Sequence, residues 1–199
     1  LMLAFGCSIV QGEELETELT VPKLFAKYLN ESLENFSKSG ASNEEILFTA
    51  YENIKPGHTI LIGLTDISRV YWSHTNTDCM ESWSVDVARQ PKNPLAGMKN
   101  SLDTWLKFCY NEYTLEQYYY KRFKHLEEYC KVLGNNIYFF SSISPPDSSL
   151  IQHHGKNWYT KTSLVNYCDN NQLGRMPKGH PTSLAHQEYF KEMLKEYKL

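Results

Sequence analysis

Apolar runs of strand length alternate along this chain with segments whose apolar residues recur every three or four positions. Leu1-Met2-Leu3-Ala4-Phe5, closed by Gly6, reads as a buried strand. Pro22 to Leu29 reads as a helix with proline in its first turn. Asn35-Phe36-Ser37-Lys38 is a short strand candidate. A helix then opens at Ser42 or Asn43, where Glu44 and Glu45 meet the positive end of its dipole. After the Pro56-Gly57 turn, Thr59-Ile60-Leu61-Ile62-Gly63-Leu64 reads as a buried strand. From Lys99 to Leu133 the period is helical. Leu102, Trp105, Leu106, Cys109 and Tyr113 form one stripe, and Tyr119, Phe123, Leu126, Cys130 and Leu133 a second. A break between Asn111 and Thr114 would make two helices of it. Ile137-Tyr138-Phe139-Phe140-Ser141 is a further strand. The last helix opens at Pro181, with His186, Phe190, Met193, Leu194 and Tyr197 on one face and Glu188/Lys191 and Glu192/Lys195 pairs on the other.

Strands alternating with helices predict one domain over residues 1–199. Its expected architecture is a three-layer α/β/α sandwich, flavodoxin-like, with a mostly parallel sheet of about five strands in the order 2-1-3-4-5. Two long stretches, 65–98 and 142–179, read as irregular. Connections of that length are disproportionately functional, so they are expected to shape a substrate site.

Charge and cysteine content narrow the partners. The net charge is −3, and no block of lysine and arginine stands out, so a nucleic-acid partner is not expected. No run of eighteen apolar residues predicts a membrane span. There is no basic leader followed by a cleavage site, and the five cysteines form no C-x-x-C pair. Both features predict a reducing, cytoplasmic setting. The chain lacks an initiator Met, which points to residues upstream of Leu1.

Residues able to do chemistry gather where strands end. Gly6-Cys7-Ser8 turns sharply out of the first strand and projects a hydroxyl at the sheet's carboxyl edge. Gly40 follows the second strand, Gly63-Leu64-Thr65-Asp66 ends the third, and Gly179-His180-Pro181 precedes the last helix. In this order the four blocks resemble those of the SGNH hydrolases, the GDSL esterase/lipase superfamily. Gly6-Cys7-Ser8 falls on that family's Gly-Asp-Ser. Gly40, in the segment from Asn35 to Asn43, falls on its oxyanion glycine, and Gly63-Leu64-Thr65-Asp66 on its Gly-x-Asn-Asp. Gly179-His180-Pro181 falls on the block that carries its catalytic histidine. The resemblance implies Ser8 as nucleophile and His180 as general base. It also implies an oxyanion hole made by Ser8, Gly40 and Thr65.

Three positions depart from the pattern. Cys7 replaces the aspartate before the serine; its side chain is expected to point inward as a small buried thiol. Thr65 replaces an asparagine amide as the third oxyanion donor, a shorter group, which predicts weaker stabilisation or a water-mediated contact. Pro177 stands where the family has its acid, three residues before the histidine. Asp169 is the leading substitute as third catalytic member and Asp66 a distant second, while a Ser-His dyad is an equal alternative. Arg69 and Trp72 are candidate substrate contacts, with a surface ion pair and a loop anchor as their plain readings. His153-His154 reads as an exposed pair rather than a metal site, and His186 as a packed histidine.

The expected activity is hydrolysis of a small acyl ester, such as an O-acetyl group on a carbohydrate, with no metal or organic cofactor required. Two rivals stand beside it. One is a degenerate domain that binds a glycan or protein partner without turnover. The other is a thiol-dependent hydrolase using Cys7.

Overall fold

Every residue of strand β1 (Met2–Phe5) and of strand β3 (Thr59–Leu64) is buried, as apolar strands covered on both faces should be. The computed structural model describes residues 1–15, 17–73, 80–84, 111–144, 155–159 and 161–199. Around β1 and β3 a five-stranded sheet assembles, adding β2 (Leu33–Asn35), β6 (Asn136–Ser141) and β7 (Trp158–Tyr159). The order is β2-β1-β3-β6-β7, and every pairing is parallel. Counting these five strands alone, this is the expected 2-1-3-4-5. Phe5 lies opposite Ile62, and Ile62 opposite Phe139. The carboxyl ends of β1, β3 and β6 therefore share one edge, from which the loops carrying Ser8, Thr65 and Ser142 leave.

Side chains alternate between two cores, as the two-residue period of a strand requires. Met2, Ala4, Leu61 and Phe140 pack with helices α2 (Val21–Tyr28), α5 (Leu164–Asn170) and α6 (Ser183–Tyr197). Leu3, Phe5, Ile60, Ile62 and Phe139 face helices α3 (Asn43–Asn53) and α4 (Glu112–Val132). The result is the three-layer α/β/α sandwich. Two phenols fix α6 against the sheet: the Tyr197 hydroxyl donates to the Phe139 carbonyl at 2.7 Å and that of Tyr189 to the Ser141 carbonyl at 3.0 Å. Among the described residues no helix is long and apolar enough to cross a membrane.

Several boundaries differ from expectation for local reasons. β2 begins two residues early, at Leu33, because an edge strand needs backbone partners more than apolar side chains. Its ladder runs on past Asn35, with Phe36 N–H donating to the Ala4 carbonyl and Lys38 N–H to that of Gly6. The 65–98 stretch is not wholly irregular, since β4 (Arg69–Ser73) and β5 (Met80–Ser84) form an antiparallel ribbon. The 142–179 stretch holds β7 and α5. α4 starts where a break was anticipated, with the Asn111 side chain accepting from Thr114 N–H at 2.9 Å. The stripe from Leu102 to Cys109 lies outside the described residues. α6 opens at Ser183 rather than Pro181, because the Thr182 hydroxyl before it caps Ala185 N–H.

His186 ties α6 to α2. Its Nδ1 accepts the Val21 N–H at 3.1 Å, so the ring proton sits on Nε2 and the imidazole is neutral. Burial drives its pKa down to about 3, with the nearby His180 adding to the effect. A histidine depressed from an ordinary 6.5 contributes nothing above that pH. Below it the unfolded chain takes up a proton that the native state refuses, so stability falls as pH falls. Between pH 6.5 and 5 the expected loss is at most about 1.4 kcal/mol per pH unit. Urea unfolding across that window should show the slope in the wild type and a flatter one in His186→Gln. Parallel slopes would refute the assignment.

Candidate active site

The chain leaves β1 through Gly6 and Cys7 and enters a single helical turn, α1 (Ser8–Gln11). Val10 on this turn is fully buried. A Cβ placed on Gly6, or on Gly63 of β3, would lie 2.3 Å from its Cγ2. Only hydrogen at both positions lets α1 settle onto the ends of β1 and β3 and hold Ser8 at the sheet edge. Asn35 adds a hydrogen bond from its amide to the Val10 carbonyl at 3.2 Å. Cys7 points the other way, into the core, fully buried, with Sγ 3.4 Å from Ser142 Oγ. The Ser142 hydroxyl itself donates to the Leu64 carbonyl. The inward thiol expected from the sequence is what the fold contains.

Gly12 ends α1 with φ +82°, where a Cβ would strike the Thr20 methyl. Glu13 and Glu14 follow, Glu14 also in the left-handed region at φ 68°, a conformation uncommon for a side chain of this size. Glu14 is thereby aimed at the loop before α6. His180 Nδ1 lies 2.7 Å from Glu14 Oε2, and His180 Nε2 lies 3.0 Å from Ser8 Oγ. The other carboxylate oxygen of Glu14 accepts the Lys178 N–H at 2.9 Å. Side-chain exposure is 16% for His180 and 12% for Glu14. With Nδ1–H donating to the carboxylate, Nε2 is left as acceptor for the serine hydroxyl.

Asp169, the acid expected beside His180, is elsewhere. Its carboxylate takes a two-pronged contact from Arg175, 2.8 Å at Nε and 2.5 Å at Nη2. That guanidinium holds it below the usual carboxylate range. Arg175 Nη1 also donates to the Gly179 carbonyl at 2.7 Å. Asp169 thus shapes the loop that carries His180 without touching the imidazole. Asp66 is likewise occupied. Desolvation would raise its pKa, but the Ser144 hydroxyl and Ser68 outweigh it and, with Arg69, leave it lowered. Sequence reasoning missed Glu14 by seeking the acid near Pro177. The available signal was a carboxylate pair directly after the glycine that closes the serine's helix.

On the other side of Ser8, Gly40 has φ +80°. The Ser39 hydroxyl before it donates to Glu13 Oε2 at 2.7 Å. Thr65 and Ser8 each stand three residues beyond the paired Phe5 and Ile62. The Thr65 backbone is held at both polar atoms by the Asn43 side chain, at 3.0 and 3.1 Å. Its hydroxyl is buried with no partner among the described residues. Arg69 lies across the loop after Gly40 and donates to the Ala41 carbonyl at 3.2 Å. Trp72 pairs with Glu81 in the ribbon; its side chain, and the His153-His154 pair, lie outside the described residues.

A serine, a histidine and a carboxylate in line at the carboxyl edge of a parallel sheet form the arrangement used by serine hydrolases. No protein-family model matches the sequence, and no curated protein matches it either. Solved structures do share the fold. TesA is 18% identical, with 99% of this chain and 97% of that one covered and a TM-score of 0.50. The psychrotrophic esterase EstA from Pseudoalteromonas sp., in a structure inhibited by monoethylphosphonate, is 15% identical with 99% and 96% covered and a TM-score of 0.51. The lipase Lip_vut3 from a goat rumen metagenome is 16% identical with 98% and 96% covered and a TM-score of 0.53. The chain shares the fold of these structures over nearly its whole length.

The position of Cys7 gives a chemical test. Iodoacetamide treatment of the native protein, followed by peptide mapping, should leave Cys7 unmodified under conditions that label it after urea unfolding. Native labelling of Cys7 would overturn the buried placement.

Proposed function

We propose that this chain is a serine ester hydrolase of the SGNH type, with Ser8 as nucleophile, His180 as base and Glu14 as the third catalytic member. The observation that carries the reading is the unbroken line from Ser8 Oγ through His180 to Glu14. Ser8 attacks the ester carbonyl while its proton passes to His180 Nε2, and the tetrahedral intermediate forms. Glu14 holds the imidazole in the accepting tautomer and stabilises the imidazolium. His180 then returns the proton to the leaving alkoxide, and a water deprotonated by the same imidazole hydrolyses the acyl-serine. The Ser8 and Gly40 N–H groups and the unpartnered Thr65 hydroxyl receive the oxyanion. Thr65 is supported by the need of any buried hydroxyl for a partner.

Ser8 is only 5% exposed, which favours a small acyl group. We assign an acetyl ester on a carbohydrate as the substrate class. Arg69 and Trp72 on β4 supply the residue types that meet sugar hydroxyls and ring faces. Cys7, Cys130 and Cys168 are free and buried, which suits a reducing cytoplasm. A domain that binds without turnover is the alternative reading. Pro177, which brings no acid, does not favour it, because a carboxylate lies on His180.

Hydrolysis of an activated acetyl ester, together with labelling by a fluorophosphonate probe, tests the proposal. The wild type should turn over and be labelled at Ser8, and Ser8→Ala should do neither. Glu14→Gln, which keeps the shape but loses the charge, should lower kcat by about 10²–10⁴-fold. Asp169→Asn should cost less than about tenfold, since it loosens only an exposed ion pair. Equal rates for wild type and Ser8→Ala would refute the esterase reading. A larger loss from Asp169→Asn than from Glu14→Gln would refute the choice of acid.

A further inference from the structure

Glu13 touches neither Ser8 Oγ nor the imidazole in any contact described above, yet both of its carboxylate oxygens are committed. Oε1 lies 2.8 Å from Lys178 Nζ, and Oε2 accepts from the Ser39 hydroxyl at 2.7 Å. Its own N–H donates to the Ser8 carbonyl at 3.0 Å, so its backbone is part of the turn that ends the serine's helix. The two partners occupy equivalent places. Ser39 immediately precedes Gly40, at φ +80°, and Lys178 immediately precedes Gly179, at φ +89°. At each glycine the chain turns through a left-handed conformation that other residues rarely adopt. One glycine carries the N–H proposed for the oxyanion hole and the other leads directly into His180.

We infer that Glu13 is a positioning residue, a clamp that fixes the oxyanion turn and the histidine loop to the helix bearing Ser8. This rests on the esterase reading given above. Lys178 completes the clamp from the other side. Its ammonium answers Glu13 while its backbone N–H answers Glu14. The two adjacent carboxylates thereby share one residue, which offsets the repulsion between them. Lys178 and then Ser39 hold the Glu13 carboxyl below its usual range, so the clamp is charged at neutral pH.

The plain alternative is a surface ion pair without consequence, and exposure makes the two separable. The Lys178 side chain is 64% exposed and that of Glu13 29%. Pairs of that kind contribute little to folding. Geometry at a reacting centre is far less forgiving, since a misplacement of about 1 Å can cost about 10²-fold in rate. The clamp should therefore register in turnover and not in stability.

The test measures kcat, KM and melting temperature for wild type, Ser8→Ala, Glu13→Ala, Glu13→Gln, Lys178→Ala and the Glu13→Ala/Lys178→Ala double variant. Glu13→Ala should lower kcat about tenfold, with KM within about twofold and the melting temperature essentially unmoved. Glu13→Gln, which keeps an acceptor for Ser39, should recover part of that loss. The double variant should be no slower than Glu13→Ala, because the two side chains act through one contact. High salt should slow the wild type more than Glu13→Ala. Wild-type kcat in Glu13→Ala, with Ser8→Ala dead, overturns this inference and leaves the esterase reading standing. A fall in kcat that follows a fall in melting temperature also overturns it, showing a merely structural role. A wild type without esterase activity overturns both.

Discussion

The close approach of Val10 to Gly6 and Gly63 is the constraint on which the rest of the site depends. α1 is one turn long, too short to be stable by its own hydrogen bonds. What holds it is the burial of Ile9 and Val10 against the ends of β1 and β3. A methyl group on either glycine would enter the space of the Val10 side chain. Lifting α1 would raise Ser8 from the edge and carry Gly12, Glu13 and Glu14 with it. The height of Ser8 and the aim of Glu14 are therefore set by one packing contact.

From that seat the Glu13-Glu14 pair reaches two other loops. Glu14 sits at φ 68°, a conformation that costs on the order of 1 kcal/mol for a residue with a Cβ. Its carboxylate offsets this with contacts to His180 Nδ1 and Lys178 N–H, each charge-assisted and thus stronger than a neutral hydrogen bond. With the carboxylate on His180 drawn from after Ser8 rather than from before the histidine, the histidine loop has a different task. Pro177 brings no carboxylate, and the loop is instead shaped by Arg175, which grips Asp169 and the Gly179 carbonyl. Two carboxylates thus divide two tasks, one orienting the imidazole and the other the backbone beneath it.

How far the sequence revealed this follows from the range of the interactions involved. β3 was readable to the residue because a strand buried on both faces must be continuously apolar. The start of α3 was readable to within a residue because the capping side chain lies within three residues of the amide it serves. β4 and β5 were not anticipated, since a two-stranded ribbon need not carry a long apolar run. Glu14 escaped for the opposite reason to β3. Its partner lies 166 positions away, and the carboxylate pair after Gly12, the one local signal, does not say which residue it meets. Only the topology, which returns the chain after α5 to the edge where it left β1, brings them together.

The same topology sends Cys7 and Ser8 in opposite directions. A thiol is intrinsically the better nucleophile, and the sequence sets the two side by side. Adjacent residues at a strand end face opposite ways, so the backbone that presents one to the loops must send the other into the core. Cys7 meets Ser142 and the sheet interior, while Ser8 meets His180. The thiol thus faces a neighbouring hydroxyl in the core, whereas the serine faces an imidazole that a carboxylate orients. On the proposed esterase reading, reactivity follows direction: the weaker nucleophile of the pair holds the place where a base can reach it.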